Sequence, residues 1–252
     1  IIKSKTVIIS TGAQARWLGL ENEEKFQGHG LSACATCDGF FFKDKKVAVI
    51  GGGNSAAEEA LFLTKFASKV FLIHRRDKLR AEKILQDRLN KNSKIKFIWN
   101  TEVSKFIGDQ DIQSIELYHK DKNKNSTLDL DGVFIAIGHI PTTKLFEGQI
   151  DMDSEGYIIT KPDSTETSLK GVYAAGDVKD KIYRQAITAA GMGCMAALEV
   201  EKFHYENNHL GIDLIKPQLD DLKHQYLTHS CIDYLDQIRV AVLKAYLFEM
   251  TE

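Results

Sequence analysis

No apolar run in the 252 residues approaches the roughly 20 that a membrane-spanning helix needs, so no membrane role is expected. Net charge is also nearly absent. Against 33 Lys and Arg stand 35 Asp and Glu, leaving −2, which argues against a general affinity for nucleic acid or anionic membrane. The four cysteines are too few for a disulfide-stapled secreted scaffold. Ile1-Ile2-Lys3-Ser4-Lys5 offers neither the apolar core nor the small-residue cleavage site of a signal peptide. It also begins without Met, in what reads as the approach to a strand, so a fragment is expected. Internal repeats and low-complexity stretches are lacking. What remains, 43% hydrophobic and 27% charged residues, is the composition of a globular protein with room for a core.

The apolar runs give the organisation. Thr6–Ser10 reads as a buried strand entering a turn at Thr11-Gly12, and residues 13–45 look irregular. Lys46–Ile50 is a second buried strand, stopped by three glycines. A helix is expected from Asn54 to about Phe66, with Ala57, Ala60, Leu61 and Thr64 on one face. Lys69–Ile73 is the next strand and completes a βαβ unit. A further helix follows from Ala81 to about Asn90. From Ile95 to Gly138 the pattern changes to short strands around a polar hairpin at residues 120–126. Two more strands run into glycine turns at Gly138 and at Gly176-Asp177. A long helix dense in small residues is expected from Tyr183 to about Phe203. Its Cys194 shares a face with Ile187, Ala190 and Leu198, which predicts a core position. After Asn207 the character changes. Leu219, Leu222, Tyr226, Leu235, Ile238 and Val242 form an amphipathic helical pattern beyond Pro217, and Cys231 reads as a half-buried helix residue.

Gly51-Gly52-Gly53-Asn54-Ser55-Ala56 satisfies the G-x-G-x-x-A pattern, which is weak alone. Here it follows a strand, opens a helix and lies inside a βαβ unit, the context a dinucleotide site requires. The glycines let backbone approach a pyrophosphate, and the helix N-terminus stabilises its charge. An NAD site usually places Asp or Glu about 20 residues further on, against the ribose 2′-hydroxyl. This chain instead has His74-Arg75-Arg76 and Arg80. Such a cationic cluster suits a 2′-phosphate and favours NADPH.

Cys34 and Cys37 form a Cys-x-x-Cys pair, which elsewhere serves as a metal half-site or a redox couple. Zinc needs four ligands, and neither a second Cys-x-x-Cys nor a His-x-x-x-His pair accompanies it. Asp38 follows directly, and a thiol–disulfide cycle needs a nearby proton donor and acceptor. Metal binding through distant residues and an inert buried pair stay open as alternatives.

In order along the chain stand Cys34-Ala35-Thr36-Cys37-Asp38-Gly39-Phe40-Phe41, Gly51 to Glu59, His74-Arg75-Arg76-Asp77 with Arg80, and Ala136-Ile137-Gly138-His139 before Pro141. Gly171 to Val178 and Tyr183-Arg184-Gln185-Ala186-Ile187 follow. Together they resemble the low-molecular-weight, bacterial-type thioredoxin reductases over residues 1 to about 207. The resemblance implies an α/β fold with two Rossmann-like FAD/NAD(P)-binding domains, one inserted in the other, the FAD domain being incomplete. Residues 1–15 would end the first FAD segment, 16–140 form the NADPH domain with the redox pair, and 141–207 form the second FAD segment. Residues 208–252 would be a C-terminal helical extension with no counterpart in the family.

The resemblance also implies site residues. NADPH would be held by Gly51, Gly53, Asn54, Ser55, Ala56, His74, Arg75, Arg76 and Arg80. FAD would be held by Thr11, Gly12, Gly176, Asp177, Arg184, Gln185 and Ala186, with a helix near Tyr183 turning its positive end to the reduced flavin. Cys37 would face the flavin, Cys34 would attack the thioredoxin disulfide, and Asp38 would handle the proton. Segments near Ala13–Arg16 and Gly138–Thr143 would be hinges. A homodimer comes with the family, and a cytoplasmic location is expected from the absent signal and the redox chemistry.

The family's first hundred or so residues, including its FAD pyrophosphate fingerprint, are missing from this sequence, so poor FAD binding and weak activity are expected of this chain alone. The flavoprotein component of an alkyl hydroperoxide reductase shares the module and is the nearest rival. A ferredoxin–NADP reductase of the same fold would lack the cysteine pair. A non-enzymatic, NADPH-binding remnant is the rival from another class, and a structural zinc module a distant fourth.

Overall fold

The computed structural model describes residues 4–207, and the expectations for residues 208–252, Cys231 among them, lie outside that range. In chain order the elements are β1 (Val7–Ile9), β2 (Ala13–Ala15), α1 (Glu23–Phe26), β3 (Leu31–Ser32), α2 (Ala35–Asp38), β4 (Lys46–Gly51), α3 (Asn54–Leu63), β5 (Lys69–Ile73) and α4 (Lys83–Lys91). Then come β6 (Ile95–Ile98), β7 (Thr101–Gly108), β8 (Ile112–His119), β9 (Lys124–Asp129), β10 (Gly132–Ala136), β11 (His139–Pro141), β12 (Val172–Ala174) and α5 (Ala186–Glu206). The described residues fall into two units, one of 4–10, 143–153 and 157–207, the other of 11–142 and 154–156.

The second unit is built on a parallel five-stranded sheet in the order β3-β10-β4-β5-β6. β4 shows why its sequence is apolar throughout. Successive side chains alternate between sheet faces, and both faces here are covered. Val47 and Val49 join the cluster formed with Ala56, Ala60 and Leu63 of α3 and Leu85 and Leu89 of α4. Ala48 and Ile50 point the other way, into a cluster with Val103, Phe106, Ile115 and Leu117. Those last four come from β7 and β8, which with β9 make a separate antiparallel sheet of three strands.

The stretch read as irregular contains the short elements β2, α1, β3 and α2, followed by a 3-10 turn at Gly39–Phe42. Glu23 opens α1 and is only 3% exposed, because its carboxylate accepts the Leu18 and Gly19 backbone N–H groups at 2.9 and 2.7 Å. A four-residue helix leaves no periodic signature, so a carboxylate clasp of this kind is invisible to pattern reading. α5 starts at Ala186 rather than near Tyr183, since Arg184 sits at φ +48° and Gln185 is the N-cap.

The chain passes between the units at 10/11 and 142/143, and again around the short stretch 154–156, and β2 and β11 pair antiparallel just inside the first two points. The Arg16 N–H donates to the Gly138 carbonyl, and the Thr142 N–H to that of Gly12, both at 2.9 Å. The segments expected to serve as hinges thus form a regular two-stranded ribbon. In the other unit β1 and β12 lie parallel, with Ile9, Val172 and Ala174 buried, and α5 packs through Ala196 and Phe203 onto Tyr173.

Candidate nucleotide and disulfide site

β4 delivers the chain into Gly51-Gly52-Gly53, and α3 begins at Asn54 with Gly53 as its N-cap. The three glycines have different reasons. A Cβ on Gly51 would lie 2.3 Å from the Ala136 carbonyl oxygen and 2.7 Å from the Ala56 Cβ. On Gly52 it would stand 2.2 Å from the His74 ring, whereas on Gly53 it would meet nothing within 4 Å. The first two glycines therefore answer internal packing, and the third leaves open space over the start of α3.

The turn is tied to the arginine segment. Gly52 O accepts the Arg80 and Ala81 backbone N–H groups at 2.7 and 3.1 Å, and the Asn54 side chain exchanges hydrogen bonds with Glu82. Arg75, Arg76 and Arg80 are exposed at the end of β5, and none makes an ion pair with another described residue. His74 is only 6% exposed, and its Nε2 has no hydrogen-bond partner among the described residues. Burial pushes its pKa below the ordinary value; a hydrogen bond with the Gly51 backbone opposes this, and the charges of Arg80, Arg76 and Arg75 reinforce it. The result is a neutral imidazole beside three guanidinium groups, a glycine cradle and an open helix N-terminus. That set fits a phosphorylated dinucleotide.

A disulfide joins Cys34 and Cys37, with the Cα atoms 5.3 Å apart. The pair sits at a helix start: Cys34 is the N-cap of α2 and its Sγ accepts the Cys37 N–H at 3.2 Å. Cys37 is exposed and Cys34 half-buried. Ser32, at the end of β3, organises the neighbourhood. Its hydroxyl donates to the Asp38 carboxylate at 2.6 Å and accepts the Cys34 N–H at 3.0 Å. Disulfide, Asp38 and glycine turn therefore all belong to one unit. Ser32 was missed from the sequence, because its role appears only when the short α2 folds Asp38 back over β3.

The sequence profile of the pyridine nucleotide-disulphide oxidoreductase family matches residues 1–193. The chain belongs to that family. It is 59% identical over 203 residues to the thioredoxin reductase of Rickettsia conorii, covering 79% of this chain and 66% of that protein. To the thioredoxin reductase of Streptomyces coelicolor it is 53% identical over 201 residues, covering 80% and 62%. The crystal structure of thioredoxin reductase from Streptococcus pyogenes matches with a TM-score of 0.76 at 44% identity, over 80% of this chain and 66% of that one. The chain thus spans just under two thirds of the length of these relatives.

In this pyridine nucleotide-disulphide oxidoreductase the residues expected at FAD divide between the units. Thr11 and Gly12 lie in the unit of the disulfide, and Gly176, Asp177, Arg184, Gln185 and Ala186 in the other. Thr11 Oγ1 donates to the Thr142 carbonyl at 2.6 Å, and Gly12 adopts φ +73°. Burial pushes the Asp177 carboxyl above the usual carboxylate range, with the Asp180 charge adding and Arg184 opposing. No other described residue donates a hydrogen bond to it, so a half-buried acceptor stands ready for a ligand hydroxyl. The Asp177 carboxylate by itself fits a hydroxyl of a flavin's ribityl chain. The letters of Gly191-Met192-Gly193-Cys194-Met195-Ala196 repeat G-x-G-x-x-A, but they lie inside α5 without the strand and turn a pyrophosphate site needs.

Asp180 was not singled out from the sequence, yet it shapes this segment. Its carboxylate accepts the backbone N–H groups of Ile182, Tyr183 and Arg184 at 2.9–3.0 Å and the Thr188 hydroxyl at 3.3 Å. Burial opposes its charge, but these donors together hold its pKa below the usual range. Cys194 corrects an expectation. It is exposed, as is Ala190, while Ile187 and Leu198 are 81% and 61% exposed. The opposite face, through Ala196 and Phe203, is the one that packs, so apolarity alone chose the wrong side of α5.

Proposed function

We propose that the chain is the nucleotide-binding and disulfide-bearing part of a thioredoxin reductase, passing electrons from NADPH through FAD to Cys34–Cys37 and on to thioredoxin. The observation that carries this reading is the disulfide standing beside Asp38 in the same unit as the Gly51–Ala56 turn. Similarity to named thioredoxin reductases over four fifths of the chain supports thioredoxin as the substrate. Arg75, Arg76 and Arg80 would hold the 2′-phosphate of NADPH, and Gly51, Gly53, Asn54, Ser55 and Ala56 at the N-terminus of α3 would hold its pyrophosphate. His74, held neutral, backs the turn.

Thr11, Gly12, Gly176, Asp177, Arg184, Gln185 and Ala186 are the residues that would hold FAD. Bound FAD supplies a two-electron carrier between the nicotinamide hydride and the disulfide. Once reduced, the pair acts as a dithiol. Cys34 as thiolate attacks one sulfur of the thioredoxin disulfide and forms a mixed disulfide, while the leaving thiolate takes a proton. Cys37, deprotonated by Asp38, then attacks the Cys34 sulfur. This releases the second thioredoxin thiol and restores the Cys34–Cys37 bond. Ser32 fixes Asp38 for this exchange. A homodimer belongs to the same reading, and so does a cytoplasmic setting, where dithiols of this kind are kept reducible.

The test is a visible absorption spectrum before and after anaerobic NADPH, followed by NADPH oxidation with oxidised thioredoxin. In the whole reductase, of which this chain spans about two thirds by comparison with its relatives, the expected result is a flavin band that NADPH bleaches and a turnover that Cys37→Ser abolishes. Turnover of thioredoxin unaffected by Cys37→Ser would overturn the reading.

A further inference from the structure

Arg75, Arg76 and Arg80 stand on a loop, residues 74–80, that leaves the end of β5. Backbone hydrogen bonds hold this loop at both ends. At one end Gly52 O accepts the Arg80 and Ala81 N–H groups at 2.7 and 3.1 Å. The other end rests on the turn from β6 to β7. There the His74 N–H donates to the Ile98 carbonyl at 2.9 Å, and the Thr101 N–H to the His74 carbonyl at 3.1 Å. The Asn100 N–H donates to the Arg76 carbonyl, also at 3.1 Å.

That last bond depends on an uncommon backbone. Asn100 adopts φ +51°, in the left-handed region that Asn tolerates next after Gly and that β-branched residues avoid. Its surroundings keep it there. The Asn100 carbonyl accepts the Lys120 N–H at 2.8 Å, just past the end of β8. Thr101 is 1% exposed; its hydroxyl donates to the Trp99 carbonyl at 2.6 Å and lies 3.0 Å from Nδ1 of His119. The Trp99 ring stacks on Phe97 at 4.9 Å and meets the His74 ring edge-on at 6.3 Å. The antiparallel sheet thus braces the turn, and the turn braces the arginine loop.

An arginine gives up rotamer freedom when it grips a phosphate, so a backbone fixed beforehand lowers the cost of binding. NADH carries a hydroxyl where NADPH carries the 2′-phosphate, and it gains nothing from that preparation. On the reading of the glycine turn and the arginines as an NADPH site, we propose that Asn100 is a positioning residue for cofactor choice. Its left-handed backbone holds Arg76, and with it the 74–80 loop, in the arrangement that separates NADPH from NADH.

The test titrates the 252-residue chain with NADPH and with NADH, following nucleotide fluorescence. Asn100→Gly keeps positive φ accessible and should leave the preference for NADPH within about threefold of wild type. Asn100→Val strains the turn and should cut that preference by about tenfold, all of it through weaker NADPH binding. In an Arg76→Ala background the same Val substitution should cost no more than about threefold, because the residue it acts through is gone. A Val variant with the wild-type preference would overturn the proposal. Equal losses for both nucleotides would do so too, since they would make the turn a support for the fold alone. So would the full tenfold cost persisting beside Arg76→Ala. A wild-type chain without any preference for NADPH is a separate result, which removes the NADPH reading itself and this inference with it.

Discussion

At the scale of single residues, the glycine turn makes the sharpest forecast. A Gly51→Ala side chain meets the Ala136 backbone, which cannot step aside, so a loss of about 2–3 kcal/mol in denaturant unfolding is expected. Gly52→Ala displaces the His74 ring and should cost less, whereas Gly53→Ala meets nothing and should leave stability within about 0.5 kcal/mol. His74 itself should titrate by NMR with a midpoint below its ordinary 6.5. The sign follows from linkage. The folded state prefers the neutral ring, so the contribution of His74 is intact above the unfolded pKa and declines as pH falls below it. Arg76→Ala should raise the Kd for NADPH by about tenfold to a hundredfold in a fluorescence titration, yet leave NADH nearly unchanged. The letters revealed these residues because chemistry dictates their types. They did not reveal Ser32, whose hydroxyl matters only through a partner six residues away.

At the scale of elements, legibility tracked length. β4, α3 and β5 each span at least five residues and form a unit whose period, glycines and order agree, so they could be read directly. α1 and α2 have four residues each and are held by side-chain clasps, which no window detects. The loop before α5 is a third clasp. Replacing Asp180 by Asn removes the charge that three backbone N–H groups and Thr188 address, and about 2 kcal/mol of stability should be lost at pH 7. Asp180 has a depressed pKa, so its contribution is present above the unfolded pKa and is lost as pH falls through the folded one. The difference between wild type and Asp180→Asn should therefore shrink in acid, as thermal unfolding at several pH values would show. Asp177 works in the opposite sense. Its raised pKa means that stability is lost as pH rises through that value.

At the scale of the whole molecule, the two units have separate cores, so damage in one should spare the other. Asp180→Asn is expected to speed hydrogen exchange in β12 and α5 while leaving β4 and β5 protected. The family and the βαβ unit of β4, α3 and β5 were legible in the sequence, but β3 at the sheet edge and the exposed side of α5 were not. Sequence shows that a face is apolar; only the set of neighbours decides whether it is inside.

The ribbon of β2 and β11 has a kinetic consequence. Ala13 pairs with Pro141 and Ala15 with His139, so folding of the 11–142 unit brings its own ends together. For the other unit, that event closes the long loop lying between β1 and Thr143. Closing such a loop in a disordered chain costs on the order of 4 kcal/mol, from (3/2)RT ln n. The inserted unit should consequently form first, and β1 should find β12 only afterwards. Pulse-labelled refolding would then protect the β4 amides before those of β12, giving the molecule an obligatory sequence of assembly.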